Sequence, residues 1–321
     1  MSLKNKHLTK AKENVNDEFY TRYEDIEKEL KNYLHCFKGK TVYCNCDDYR
    51  VSNFVKYFVD NFKTLGLKKL VATCYIDQQV DLLSFTTPEP ALYFEFDGVN
   101  KIEKHLNSDG DFRSEECLNI LKQCDIVVTN PPFSLFRDFV DVLIKHNKDF
   151  LIIGNVIAIQ AQNIFSYIFT KKLHLGFNRV SDFLKNDVET PVSGIWYTSL
   201  PVYKERKFIE LTKSYDPELY PMYDNYDAIN VDKTKDIPKD YKGLMGVPIT
   251  FLEHYNEKQF ELIGLLCDID RNKVLPGLIY GERAECYEYN SRKNTVRLRT
   301  KQCGVINHKV YFNRILIRHL L

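Results

Sequence analysis

No apolar run in the chain approaches the roughly 18 residues a membrane helix requires, and the start, Met1 to Lys10, is basic with no hydrophobic stretch behind it. The expected compartment is the cytoplasm, with no membrane partner. No Cys-x-x-Cys pair occurs among the nine cysteines, which are odd in number and scattered. That pattern excludes a disulfide-dense scaffold and leaves no metal site to assign. Tyr43-Cys44-Asn45-Cys46 reads as a strand with buried thiols in a reducing cytosol. Internal repeats and low-complexity tracts are absent too. Tryptophan occurs once, at Trp196, and is expected in the core rather than as a platform for a base.

What is present suits a soluble enzyme. Apolar residues at 44% and charged residues at 28% argue against wholesale disorder, and 321 residues bury about three quarters of their unfolded surface. A net charge of +1 conceals an asymmetry: residues 271–321 hold 11 Lys or Arg against 3 Glu, a balance of +8, which leaves −7 over residues 1–270. A basic end on a nearly neutral chain suggests a polyanionic partner, or else a solvated basic tail. Lys4, Lys6, Lys10 and Lys12 add a short basic arm at the start.

Along the chain, buried strands expected at Thr41–Cys46, Lys69–Tyr75, Ala91–Phe96, Asp125–Thr129 and Phe150–Ile153 alternate with helical patterns. Among these, Val51, Phe54, Val55, Phe58, Val59 and Phe62 repeat at helical spacing until Gly66, and Glu115–Gln123 and Leu135–His146 follow later. Such alternation implies an α/β fold with a mostly parallel sheet covered on both faces. Ligands of such sheets sit beyond the carboxyl ends of the strands, where Asp47-Asp48, Asp111-Phe112 and Asn130–Phe133 fall. After about residue 175 the periodicities become short and irregular. The expected layout is a basic arm over 1–16, a catalytic domain over 17–190 and a loop-rich recognition region over 191–321. The Asp and Asn residues of 215–241 read as turn formers, neither metal ligands nor a second catalytic acid.

The string Asn130-Pro131-Pro132-Phe133, directly after a buried strand, carries the sharpest chemistry. An amide oxygen and the main-chain carbonyl of Pro131 can each accept one hydrogen from a planar amino group, drawing its lone pair out of conjugation and making the nitrogen nucleophilic. Two prolines preset the backbone, and Phe133 offers a face for stacking. A methyl donor in line with that nitrogen reacts by direct displacement. Asn-Pro alone is no more than a turn initiator.

These features are joined by a resemblance that runs along nearly the whole chain. The matching segments include Asp17-Glu18-Phe19-Tyr20-Thr21, Cys44-Asn45-Cys46-Asp47-Asp48, Ser52-Asn53-Phe54 and Thr129 to Phe133. They extend to the blocks Tyr223 to Asn230 and Gly246 to Leu252 and the ending around Arg314-Ile315-Leu316-Ile317. The sequence resembles the EcoRI-type adenine-specific DNA methyltransferases. That resemblance implies a Rossmann-like domain dependent on S-adenosylmethionine, with a loop-rich C-terminal DNA-recognition region, and methylation of the 6-amino group of adenine in duplex DNA. It makes Asn130, Pro131, Pro132 and Phe133 the amino-group site. It places Phe19, Tyr20 and Thr21, the loop Asn45, Cys46, Asp47 and Asp48, and Asp111 with Phe112 around the cofactor. A carboxylate suits ribose hydroxyls or an adenine amino group, and an aromatic ring suits the adenine face. One departure from methyltransferases at large is that Cys44 to Arg50 contains no glycine. The acid after the second strand is Asp77 or none.

An adenine in a duplex is paired and stacked, so it must be swung out to reach Asn130, at a cost of a few kcal/mol offset by phosphate contacts and pocket stacking. Arg292, Lys293, Arg297, Arg299 and Lys301 are the candidates for those contacts, or alternatively form an exposed basic edge that discourages aggregation. The expected partner is double-stranded DNA, bound by a monomer with no obligate protein partner. The rivals are a methyltransferase acting on RNA or a protein glutamine, and a catalytically silent DNA-binding relative. The resemblance allows a GAATTC-like target in a restriction-modification setting, while base choice rests on loop side chains.

Overall fold

The computed structural model describes residues 21–76, 90–185, 188–201, 206–224, 226–266, 304–307, 309–311 and 313–320. The chain divides into two compact units, Met1–Ala158 with Lys172–Val202, and Ile159–Lys171 with Tyr203–Leu321.

The first unit is built on one eight-stranded sheet. Its strands are β1 (Thr41–Cys44), β2 (Lys69–Thr73), β3 (Leu92–Phe96), β4 (Lys101–His105), β5 (Ile126–Thr129), β6 (Asp149–Asn155), β7 (His174–Lys185) and β8 (Val188–Thr198), in the order β4-β3-β2-β1-β5-β6-β8-β7. The four central strands, β2-β1-β5-β6, are parallel, and antiparallel strands extend the sheet at both edges. All residues of β1 and β5 are buried. Their short apolar runs, Thr-Val-Tyr-Cys and Ile-Val-Val-Thr, are what strands covered on both faces require.

Helix α1 (Tyr23–Leu30), α2 (Asn53–Asp60), the single turn α3 (Phe62–Leu65), α4 (Glu115–Gln123) and α5 (Phe136–Lys145) belong to the same unit. Local chemistry sets their ends. The Ser52 hydroxyl accepts from the Phe54 and Val55 amides to cap α2, Ser114 caps α4 in the same way, and Gly66 in the left-handed region (φ 63°) stops α3. In α5 the buried Phe136, Phe139, Val140 and Leu143 make the stripe that packs on the sheet. The core joins α1, α2 and the strands, with Trp196 fully buried among them, as expected.

Two departures from the sequence reading stand out. β4, Lys-Ile-Glu-Lys-His, is exposed at every position and shows no buried face to betray it; pairing with β3 makes it a strand. The stretch after 175, expected to be irregular, forms the long β7–β8 hairpin. Its bulges between Leu175 and Arg179 and between Val180 and Asp182 break the period-two pattern that would have revealed it.

The second unit carries α6 (Gln162–Phe169) and a five-stranded sheet of β9 (Met222–Tyr223), β10 (Tyr226–Asn230), β11 (Leu244–Val247), β12 (Phe260–Leu265) and β15 (Ile315–His319), in the order β12-β15-β11-β10-β9. A separate pair joins β13 (Val305–Ile306) to β14 (Lys309–Val310). Tyr223 lies buried, its hydroxyl donating to Asn230 Oδ1 at 2.8 Å, and Gly246 and Gly304 leave room for its ring. Among the described residues no helix is long and apolar enough to cross a membrane.

Candidate active site at the strand ends

β1 ends in Cys44, and the chain then turns through Asn45, Cys46, Asp47 and Asp48 at the carboxyl edge of the parallel strands. Asp47 is the hub of this edge. Its main-chain N–H donates to the Thr73 carbonyl at the end of β2 (3.0 Å). Its Oδ1 accepts from the Ser52 hydroxyl (2.7 Å), and its Oδ2 accepts from the Thr129 hydroxyl at the end of β5 (2.5 Å). Burial pushes the Asp47 carboxyl up from 3.8 to about 6, against the opposing pull of the two hydroxyls.

The loop bearing Asp111 is drawn against the same edge. The Ile76 amide donates to the Asp109 carbonyl at 2.9 Å, and Gly110, at φ 81°, leaves space that a methyl group would fill only 2.1 Å from the Cys74 carbonyl oxygen. Burial pushes the Cys46 thiol well above its ordinary value, and the carboxylates of Asp47 and Asp111 both add to the rise, so Asp111 lies within electrostatic reach of the β1 loop. Asp48 and Asp111 are each held in a fork by the arginine two residues on. Arg50 and Arg113 each place Nε 2.9 Å from Oδ1 and Nη2 2.6 Å from Oδ2 of their own aspartate. Partial burial raises the Asp48 carboxyl, but the Arg50 bonds win and leave it below its ordinary value; for Asp111 the Arg113 bond dominates outright. Phe112 is 5% exposed, packs edge-on to Phe139 (5.0 Å) and lies under the Arg113 guanidinium. Its ring is thus set in the core. Tyr49, between Asp48 and Arg50, stacks on Phe94 at 4.9 Å.

Two buried polar atoms among the expected cofactor residues lack hydrogen-bond partners, Asn45 Oδ1 and Thr21 Oγ1. Thr21 stands at the start of α2, because its carbonyl accepts from Asn53 Nδ2 at 2.8 Å. Buried groups of this kind are rare in folded proteins, and here a bound ligand or an ordered water has two polar atoms to satisfy. Phe19 and Tyr20, Asp77, and the basic Arg292, Lys293, Arg297, Arg299 and Lys301 lie outside the described residues.

Asn130 follows Thr129 directly. Its Oδ1 is shielded from solvent, Pro131 is buried, and Pro132 and Phe133 are half-buried. Pro132 is extended (φ −53°, ψ 127°) and its carbonyl accepts from the Leu135 amide at 3.0 Å, closing the 3-10 turn Phe133–Leu135 that leads into α5. The Phe133 ring packs against the core cluster. Behind the turn, Phe136 fits against Gly154 and rests on Tyr197 (4.8 Å), whose hydroxyl donates to the Asn155 carbonyl at 2.9 Å.

The structure therefore brings Thr21, Asn45–Asp48, Asp111-Phe112 and Asn130–Phe133 to one edge of one sheet. Sequence reasoning missed Thr129, Ser52, Arg50 and Arg113 as parts of it. A serine just before a helical run and the twice-used spacing Asp-aromatic-Arg were the available signals. Among the described residues no cluster of His, Cys, Asp or Glu has the makings of a metal site.

The family described as adenine-specific methyltransferase EcoRI matches residues 7–190 and 187–320. The chain is 46% identical to the type II methyltransferase M.EcoRI of Escherichia coli, over 84% of this chain and 92% of that one. It is 42% identical to the type II methyltransferase M.MgeORF184P of Mycoplasma genitalium, over 82% of this chain and 87% of that one. To the type II methyltransferase M.MpnI of Mycoplasma pneumoniae it is 40% identical, over 82% and 86%. No solved structure matches.

Proposed function

Because this chain belongs to the EcoRI family of adenine-specific methyltransferases, we propose that it transfers a methyl group from S-adenosylmethionine to the 6-amino group of an adenine flipped out of duplex DNA, as the modification enzyme of a restriction-modification system. The observation that carries this reading is Asn130-Pro131-Pro132-Phe133 at the carboxyl end of the parallel strand β5, beside the loop after β1 in which the buried Asn45 Oδ1 has no hydrogen-bond partner.

The residues present fit the cofactor. Asn45 Oδ1 is a buried acceptor suited to the ammonium of its methionine end, and Thr21 Oγ1 is a donor suited to the carboxylate. When bound, the cofactor supplies an electrophilic methyl on a sulfonium. This chain's own residues do the rest. Asn130 Oδ1 and the Pro131 carbonyl accept the two amino hydrogens of the adenine, which turns the nitrogen lone pair out of the ring and towards the methyl carbon. Phe133 stacks on the base, and the low-dielectric strand end strengthens both hydrogen bonds. Since the acceptors are fixed before the base arrives, catalysis comes from orientation and preset dipoles. Arg292, Lys293, Arg297, Arg299 and Lys301 are assigned to phosphates, which offset the cost of extruding the base.

The test is methyl transfer to duplex DNA by purified Asn130→Ala. Turnover should fall by about 10²-fold or more while DNA affinity stays within a few-fold of wild type. Near-normal turnover refutes the role of Asn130. Parallel assays on RNA and protein establish the substrate class.

A further inference from the structure

We propose that Asp47 is a positioning residue for methyl transfer: its carboxylate clamps the Thr129 hydroxyl and thereby fixes the strand end from which Asn130 and Pro131 project. The inference rests on the reading of Asn130–Phe133 as the amino-group site, and it assigns Asp47 a task other than touching the cofactor.

The geometry leaves little freedom. The Ser52 hydroxyl accepts from two amides, Phe54 (3.1 Å) and Val55 (3.3 Å), so its single proton points to Asp47 Oδ1, 2.7 Å away. Asp47 Oδ1 is thus an obligatory acceptor. The other oxygen faces Thr129 Oγ1, and a carboxylate is the side chain that accepts at both oxygens together. An amide would present its NH2 to one of the two hydroxyls and reverse that bond. The third tie is the Asp47 main-chain N–H on the Thr73 carbonyl. One residue thus binds the ends of β2 and β5 and the cap of α2, in a place where Thr129 is fully buried and Asp47 nearly so.

Thr129 is the last residue of β5, held in parallel register opposite Ile152 of β6. Its hydroxyl is anchored across 82 residues of sequence, and the peptide that follows it carries Asn130. Freed from that anchor, the strand end can rotate, and the two acceptor oxygens lose their common aim. A misplacement of about 1 Å at a reacting group costs on the order of 10²-fold in rate. Substrate and cofactor affinity rest on other contacts and change little.

The decisive variants are Thr129→Val, which keeps shape and removes the hydroxyl, and Thr129→Ser, which keeps the hydroxyl. In steady-state methyl transfer to duplex DNA, Thr129→Val should lower kcat by on the order of 10- to 10²-fold with the cofactor KM within about 3-fold. Thr129→Ser should recover most of the loss. Asp47→Ala, which removes both acceptor oxygens, should behave like Thr129→Val, and it decides the matter should Thr129→Val fail to give a wild-type circular dichroism spectrum. The proposal is overturned by wild-type kcat in the folded hydroxyl-free variant or in a folded Asp47→Ala. It is equally overturned by a loss confined to cofactor KM, which is what a cofactor ligand would show, or by a Thr129→Ser enzyme as slow as Thr129→Val. Asn130→Ala separates the two levels. If it retains turnover, the site itself is misassigned; if it is inactive while Thr129→Val is normal, only the role of Asp47 fails.

Discussion

Replacing Asp47 by Asn should change how the stability of the first unit depends on pH, in a direction the structure dictates. In the folded protein burial raises this carboxyl from 3.8 to about 6. The folded state therefore holds the proton more tightly than the unfolded chain does. A raised pKa of this kind contributes stability that is complete below about pH 4 and lost as the pH climbs through 6. At about 1.4 kcal/mol for each pH unit between the two values, the loss amounts to about 3 kcal/mol by neutral pH. An amide at position 47 does not titrate, so Asp47→Asn carries at most a constant offset from its altered hydrogen bonds. Glu29, whose carboxyl burial also raises, titrates alike in both proteins and cancels in the comparison. Urea unfolding followed by the emission of Trp196, the single tryptophan and fully buried in the first unit, reports this unit without assuming that the two units unfold together. Between pH 4 and 7 the wild-type protein should lose about 3 kcal/mol relative to Asp47→Asn. Parallel pH profiles, or a wild-type protein that gains on the variant as pH rises, would show that Asp47 is solvated or differently paired and refute the reasoning.

Two further substitutions probe how the site is supported. Gly154→Ala places a methyl carbon 2.4 Å from the Phe136 ring, which is itself packed 4.8 Å from the Tyr197 ring; a loss of about 1–3 kcal/mol in thermal unfolding is expected, with slower methyl transfer because Phe136 opens the helix after Phe133. A wild-type melting temperature would mean that the ring has room to swing. Glu29→Ala strands donors that the buried carboxylate now satisfies, the Phe177 and Asn178 amides and the Tyr33 hydroxyl, and should cost about 2–5 kcal/mol in urea unfolding. Glu29→Gln, which keeps an acceptor, should cost less, and equal losses for the two would place the effect in packing rather than in hydrogen bonding.

The sequence by itself determined what depends on neighbours. Short apolar runs flanked by turn formers marked β1, β2, β3, β5 and β6, the glycine at 66 marked the end of a helical run, and Asn130-Pro131-Pro132-Phe133 stood out as four consecutive residues directly after a buried strand. Tertiary structure decided the rest. The polar β4 is a strand through pairing with β3, the bulged β7–β8 hairpin extends the other edge, and neither has a period that a local reading detects. Thr129 meets Asp47 across 82 residues, and Glu29 meets the Asn178 amide across 149. A side chain's local environment fixes whether it favours a strand, a helix or a cap. Which buried hydroxyl a carboxylate finds depends on how distant strands align, and only the packed sheet specifies that alignment.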